Sequence, residues 1–295
     1  MKRKAIIGGV IALIILAAAI IFCIWAGKKI NEKLSEANPD TQETTVPNLP
    51  RLPDSAQSNL PFGNPSGATA NPLNANNYLM ENRFYTLSYN REKSLTNWVA
   101  WWLTRYDLGE TLRQDDFRPD NRLPADWTHI TPSDYSRSGF DRGHLAPSAD
   151  RSNSLDANSS TFLMTNISPQ TPDLNQGPWK KLENYSRSLA RRGGTLYIIA
   201  GQYGNLRGKI KNKITVPTNF WKIIVVMPPN SDFSSINSDT RIIAVDMPNV
   251  SGIKNKNWRE YRTTVRDLEQ KNGYNFFSNL PQNLQNALET KTDTK

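Results

Sequence analysis

The chain has 295 residues, a formal net charge of +9, two histidines and one cysteine. Cys23 lies inside the N-terminal apolar run, so the remaining 272 residues hold neither intrachain disulfides nor thiolate metal sites. Most of the positive charge, +7, falls on residues 63–295, where 29 basic side chains face 22 acidic ones, and that excess suits a polyanionic partner.

In chain order, the basic start Met1-Lys2-Arg3-Lys4 precedes an uncharged run, Ala5–Gly27, that closes at Lys28-Lys29. A helix needs roughly 20 apolar residues to cross a bilayer. Secretory signals carry an apolar core of about 7–15 residues and a small-x-small cleavage site. Ile24 and Trp25 spoil such a site before Ala26. Residues 1–27 are therefore expected to be a transmembrane signal anchor, or else a cleaved signal peptide. The expected location is membrane-anchored through residues 5–27 with the rest of the chain outside the cytoplasm, or secreted if the signal is cleaved. Residues 28–62 shift to Asn, Pro, Ser and Thr, with Pro39, Pro47, Pro50, Pro53 and Pro61 breaking any helix, and read as a disordered tether. Residues 63–290 have the composition of one globular domain.

Within that domain, 84–89 and 97–103 are expected strands joined by a hairpin connection at 90–94. Residues 106–138 read as a long loop and 161–165 as a short strand. The runs 196–200, 221–227 and 241–245 have the β-branched content of buried strands. Helices are expected from Pro178 to Arg192, stopped by Gly193-Gly194, from Thr264 to Lys271, and from about Pro281. Strands separated by few helices imply an α+β fold with a central, mainly antiparallel sheet flanked by helices.

The chemistry is concentrated in two segments: Asp141-Arg142-Gly143-His144, and about thirty residues on, Asn175 to Glu183. A neutral imidazole takes up a proton near pH 7, which makes His144 the candidate general base. If 141–144 is extended, Arg142 and His144 share a face and Asp141 points away. Mg²⁺ prefers oxygen ligands and keeps waters, so Asn175 is a reasonable direct ligand and Glu183 a carboxylate that reaches the ion through water. On one continuous helix Asn175 and Glu183 are two turns apart; a helix starting at Gly177-Pro178 loosens that relation. Arg187 suits a phosphate, although Glu183 and Arg187 also fit an ordinary i,i+4 ion pair, Asn175 a cap residue, and a lone histidine a structural one.

Taken together, these segments resemble the DNA/RNA non-specific endonuclease family, the sugar-nonspecific nucleases with a ββα-metal fold. The segments that carry the resemblance include residues 63–69, 76–80, 97–101, 113–120, 141–147, 165–170, 174–183, 216–222 and 273–278. The resemblance implies two strands and a helix framing a Mg²⁺ that Mn²⁺ can replace. It implies His144 as general base, Asn175 as the sole direct protein ligand, Glu183 holding the metal's waters, and Arg142 and Arg187 as active-site arginines. A further arginine precedes the motif; Arg113 fits best by its distance from His144, with Arg118 as the alternative. Asn166 matches a position that orients the histidine. Leu174 departs from the polar residue usual before the metal-binding Asn. The implied activity is hydrolysis of DNA and RNA to 5′-phosphate ends. Were the topology reversed, so that the domain faced the cell's own nucleic acid, a protein inhibitor would be the expected partner. Two other classes fit the charge: a non-catalytic surface nucleic-acid-binding or uptake protein, and a basic structural protein of the envelope.

Overall fold

The computed structural model describes residues 59–206 and 208–295. The expected membrane segment and nearly all of the tether lie outside the described residues. Among the described residues, no helix is long and apolar enough to cross a membrane.

The elements run β1 (Tyr78–Glu81), β2 (Thr86–Asn90), β3 (Leu95–Leu103), β4 (Asp141–His144), α1 (Leu155–Ser160), β5 (Ile167–Gln170) and α2 (Lys180–Arg191). There follow β6 (Thr195–Tyr203), β7 (Lys209–Ile210), β8 (Ile214–Thr215), β9 (Asn219–Met227), β10 (Arg241–Pro248), β11 (Arg262–Thr263), α3 (Val265–Asn272) and α4 (Gln282–Glu289). Seven strands form one antiparallel sheet in the order β1-β2-β3-β6-β9-β10-β11, while β4 pairs with β5, and β7 with β8, in two small ribbons.

Side chains alternate across a strand, and here both sets are buried. Along β9, Phe220 and Ile224 join the cluster on the α2 side of the sheet, whereas Trp221, Ile223 and Val225 join the cluster that also holds Val265, Leu268 and Leu288 of α3 and α4. A sheet covered on both faces is why these strands read as unbroken apolar runs rather than alternating ones. Helix α2 buries Leu182, Ser186, Arg187 and Ala190, one stripe at helical spacing, against the first of these clusters.

Three local expectations are corrected. Residues 161–165 are not a strand: Thr161 Oγ donates to Asn158 O at 2.7 Å, closing the turn after α1, and a 3-10 turn spans Met164–Asn166 before β5 begins. The helix expected from Pro178 is regular only from Lys180, because Asn175–Trp179 forms a wider turn kinked at Gly177 (φ −104°, ψ −118°). Phe62, placed at the end of the tether, is fully buried against Tyr197, Phe233 and Phe277, so the packed body begins before Gly63. Strands β1, β5, β7, β8 and β11 and helix α1 are additions to the expected set.

Candidate active site

The extended reading of Asp141–His144 is what the structure has. Strand β4 pairs with β5 in the register Asp141↔Gln170 and His144↔Ile167. A Cβ on Gly143 would come within 2.2 Å of Gln170 Oε1, so only glycine lets the Gln170 side chain cross the strand there. Just past the ribbon, Asn166 continues the pairing with its side chain. Its Oδ1 accepts from Ala146 N at 3.0 Å, its Nδ2 donates to Ala146 O and Thr161 O at 2.8 and 2.9 Å, and its carbonyl accepts from Leu145 N. Asn166 thus fixes the backbone two residues beyond His144 rather than bonding the ring.

The His144 ring is 4.9 Å from Phe162, edge to face, and 5.5 Å from Phe117. His144 is buried, and its Nε2 has no hydrogen-bond partner among the described residues. Burial, then the positive charges of Arg113 and Arg142, push its pKa down to about 3, so the imidazole is neutral across the neutral range. The other histidine, His129, donates to Pro124 O at 3.2 Å and touches none of these residues.

The two rings beside His144 also carry two arginines. Arg142 lies over Phe117 with its Cζ 4.1 Å from the ring centre, and Arg113 over Phe162 at 4.9 Å. Arg113 also donates to Asp115 and Ser148. Arg142 is exposed and makes no hydrogen bond with the described residues, so all its donors stay available. Arg118, the alternative loop arginine, is held elsewhere, by the Asp116 carboxylate at 2.6 Å and Ser159 O at 3.0 Å.

Across β4, Asp141 faces the other segment. Its Oδ2 accepts from Asn175 Nδ2 at 2.8 Å and from Gln176 Nε2 at 2.9 Å. That bond uses the amide nitrogen of Asn175 and leaves Oδ1, the atom that ligates hard cations, without a protein partner among the described residues. Asn175 itself is helical in φ and ψ, at the end of the turn Pro172–Leu174. The kink that follows is set by packing: a Cβ on Gly177 would lie 2.7 Å from both Cα and O of Lys254.

Glu183, on the first turn of α2, is nearly buried, and its Oε1 is 3.8 Å from Lys222 Nζ. Burial raises its pKa, against the lowering effect of Lys222 and Arg187. The alternative reading of Glu183 and Arg187 as an i,i+4 ion pair is not what forms among the described residues. Arg187 instead donates to the buried carboxylate of Asp150 at 2.8 Å and to Asn184 Oδ1 at 2.6 Å. Asp150 also accepts from Trp101 Nε1 at 3.2 Å. Trp179 joins the two halves, donating from its indole to His144 O at 3.3 Å while one face of its ring covers Lys222.

The family model for DNA/RNA non-specific endonuclease matches residues 63–283. The chain belongs to that family. Among relatives of this chain, a protein called nuclease from Nostoc sp. is 49% identical over 252 residues, covering 85% of this chain and 92% of that one. The nuclease of Serratia marcescens is 29% identical over 245 residues, covering 79% and 85%. The crystal structure of the complex of EndoG with EndoGI shares the fold, with a TM-score of 0.64 at 22% identity over 77% of this chain and 95% of that one.

Several residues of the endonuclease site escaped sequence reasoning. Phe117 lies in the stretch that reads as a long loop and Phe162 in the expected strand 161–165, neither with a site role, and the Asp150–Arg187 pair spans 37 positions with no pattern to suggest it. Lys222 did leave a signal: it is the one charge in the strand run Phe220–Met227. A lysine there must be paired or functional, because lysine is almost never fully buried otherwise.

Proposed function

We propose that this endonuclease hydrolyses phosphodiester bonds in both DNA and RNA without sequence preference and leaves 5′-phosphate ends. The observation that carries the reading is His144: an unprotonated imidazole with a free Nε2, flanked by two arginines, on the strand whose first residue holds Asn175. In this reading His144 takes the proton of the attacking water. Arg113, Arg142 and Arg187 bind the phosphate, and Asn166 orients the histidine through its backbone. Substrate phosphate between Arg113 and Arg142 offsets their field, which raises the basicity of the imidazole when it is needed.

The donor set fits a hard divalent ion. Asn175 would hold Mg²⁺, or Mn²⁺ in its place, through Oδ1, and Glu183 would take hydrogen bonds from the ion's waters. Three or more acidic, histidine or cysteine side chains do not converge anywhere among the described residues, so this is a site with few protein ligands, completed by water and substrate. When bound, the ion supplies Lewis-acid stabilisation of charge on the phosphoryl and leaving oxygens. Lack of sequence preference follows from phosphate contacts, which fix register but read no bases.

The apolar run Ala5–Gly27 is the basis for placing the enzyme at a membrane with its catalytic domain outside the cytoplasm; cleavage of the run would give a secreted form instead. The fold neighbour was solved with EndoGI in a study of EndoG inhibition. A protein inhibitor is the corresponding partner proposed here, wherever the enzyme meets the cell's own nucleic acid.

Plasmid nicking with and without EDTA, paired with a DNA-binding assay, tests the reading. Nicking that stops on chelation is expected. Binding without nicking in saturating Mg²⁺ would return the chain to the non-catalytic uptake class.

A further inference from the structure

Lys222 stands in the middle of the central sheet, opposite Ala200 of β6 and Val245 of β10, and is only 1% exposed. Its strand neighbours on the same face, Phe220 and Ile224, are core residues. An aliphatic side chain would suit that position without the cost of taking an ammonium out of water. The ammonium is covered by two indoles, Trp179 at 4.1 Å and Trp101 at 5.5 Å, and its one ion-pair partner among the described residues is Glu183 at 3.8 Å. The adjoining Asp150–Arg187 pair is already satisfied, with Asp150 also bonded to Trp101. Among the described residues these two acids and two bases balance, and the acid left for Lys222 is Glu183.

The 3.8 Å separation exceeds hydrogen-bond length. At that distance Lys222 balances the charge of the Glu183 carboxylate without occupying its lone pairs, which remain free to accept hydrogen bonds from another source. The indoles on Lys222 limit where the ammonium can go, and Trp179 is itself tied to His144 O. We propose that Lys222 is a positioning residue: a buried, tryptophan-capped counter-charge that holds the Glu183 carboxylate in place for the water shell of the divalent ion. It acts through Glu183 and does not touch substrate. This deepens the reading of Glu183 given above and rests on it.

The test measures Mn²⁺ binding by electron paramagnetic resonance and calorimetry, in the full chain carrying His144→Ala so that nothing is cleaved. Lys222→Met keeps the aliphatic stem and removes the charge. It should weaken Mn²⁺ binding about 10–100-fold, as should Glu183→Gln, in the range typical of residues that support a metal's ligands. If Lys222 acts through Glu183, adding Lys222→Met to Glu183→Gln should cost less than about threefold more, because coupled residues do not add. Unchanged binding in Lys222→Met, with Glu183→Gln impaired, would overturn the role of Lys222 alone. Losses that multiply in the double variant would also overturn it. Unchanged binding in Glu183→Gln would instead remove the underlying reading of Glu183. Should Lys222→Met fail to fold, the neutral pair Lys222→Met with Glu183→Gln decides. Recovery of the fold supports the pairing, and failure of both assigns Lys222 to the core instead.

Discussion

At the scale of single residues, the site depends on what its neighbours leave unoccupied. Asp141 takes the amide nitrogen of Asn175 and spares the oxygen, and Phe117 holds Arg142 by its flat face and spares every N–H. A cation over an aromatic ring is stabilised by about 0.5–2 kcal/mol depending on exposure. Phe117→Leu should therefore lower kcat/KM by roughly tenfold on that scale, with Phe117→Trp close to wild type; equal activity in the Leu and Trp variants would show that Phe117 is only filler. His144 makes a separate prediction about acid stability. Its folded pKa, about 3, lies below the ordinary value of 6.5, so the unfolded chain binds the proton first and stability is lost as pH falls from about 6.5 towards 3. In EDTA, the drop in unfolding free energy between pH 7 and pH 4.5 should be about 2.5 kcal/mol smaller for His144→Gln than for wild type, at 1.36 kcal/mol per pH unit. An equal drop in both would mean that the imidazole is not held neutral.

At the scale of elements, the ββα frame is built from β4, β5 and α2, joined by the turn at 172–179. The kink at Gly177 lets Asn175 sit beside Asp141 while Glu183 enters the core near Lys222. Gly177→Ala places a methyl against the Lys254 backbone. It should raise the Mg²⁺ concentration needed for half-maximal nicking several-fold by shifting the turn that carries Asn175; an unchanged Mg²⁺ response would show that the turn tolerates the shift. This level was the least legible in the sequence. Strands β6, β9 and β10 stood out because both faces are buried and β-branched residues fill them. Strands β4 and β5 are four residues each, polar and interrupted by Pro169, so no periodicity marks them. The motif residues His144 and Asn175 were visible by their chemistry. Their supports, Asn166 excepted, were not, because Phe162, Trp179 and Asp150 meet the site only through long-range packing.

At the scale of the whole molecule, the basic excess suits the nucleic acid proposed as substrate, and the N-terminal apolar run is the basis of the proposed membrane location. Phe62 is buried, so the body that carries the site begins near it. Once any outer barrier is opened, protease added to intact cells should release an active fragment cut between Lys28 and about Asn59, where composition predicts exposed backbone. A mature soluble protein beginning near Gly27 would identify a cleaved signal instead, and a domain cut only in lysates would reverse the topology. In the proposed mechanism, catalysis at this basic surface rests on one buried imidazole, His144. The most direct test of that role compares plasmid nicking by wild type and His144→Ala at saturating Mg²⁺, with DNA affinity measured in parallel. Loss of general base catalysis predicts a rate lower by about 10²–10⁴ with affinity and melting temperature retained. Near-normal nicking by His144→Ala would contradict the account and turn attention to His129.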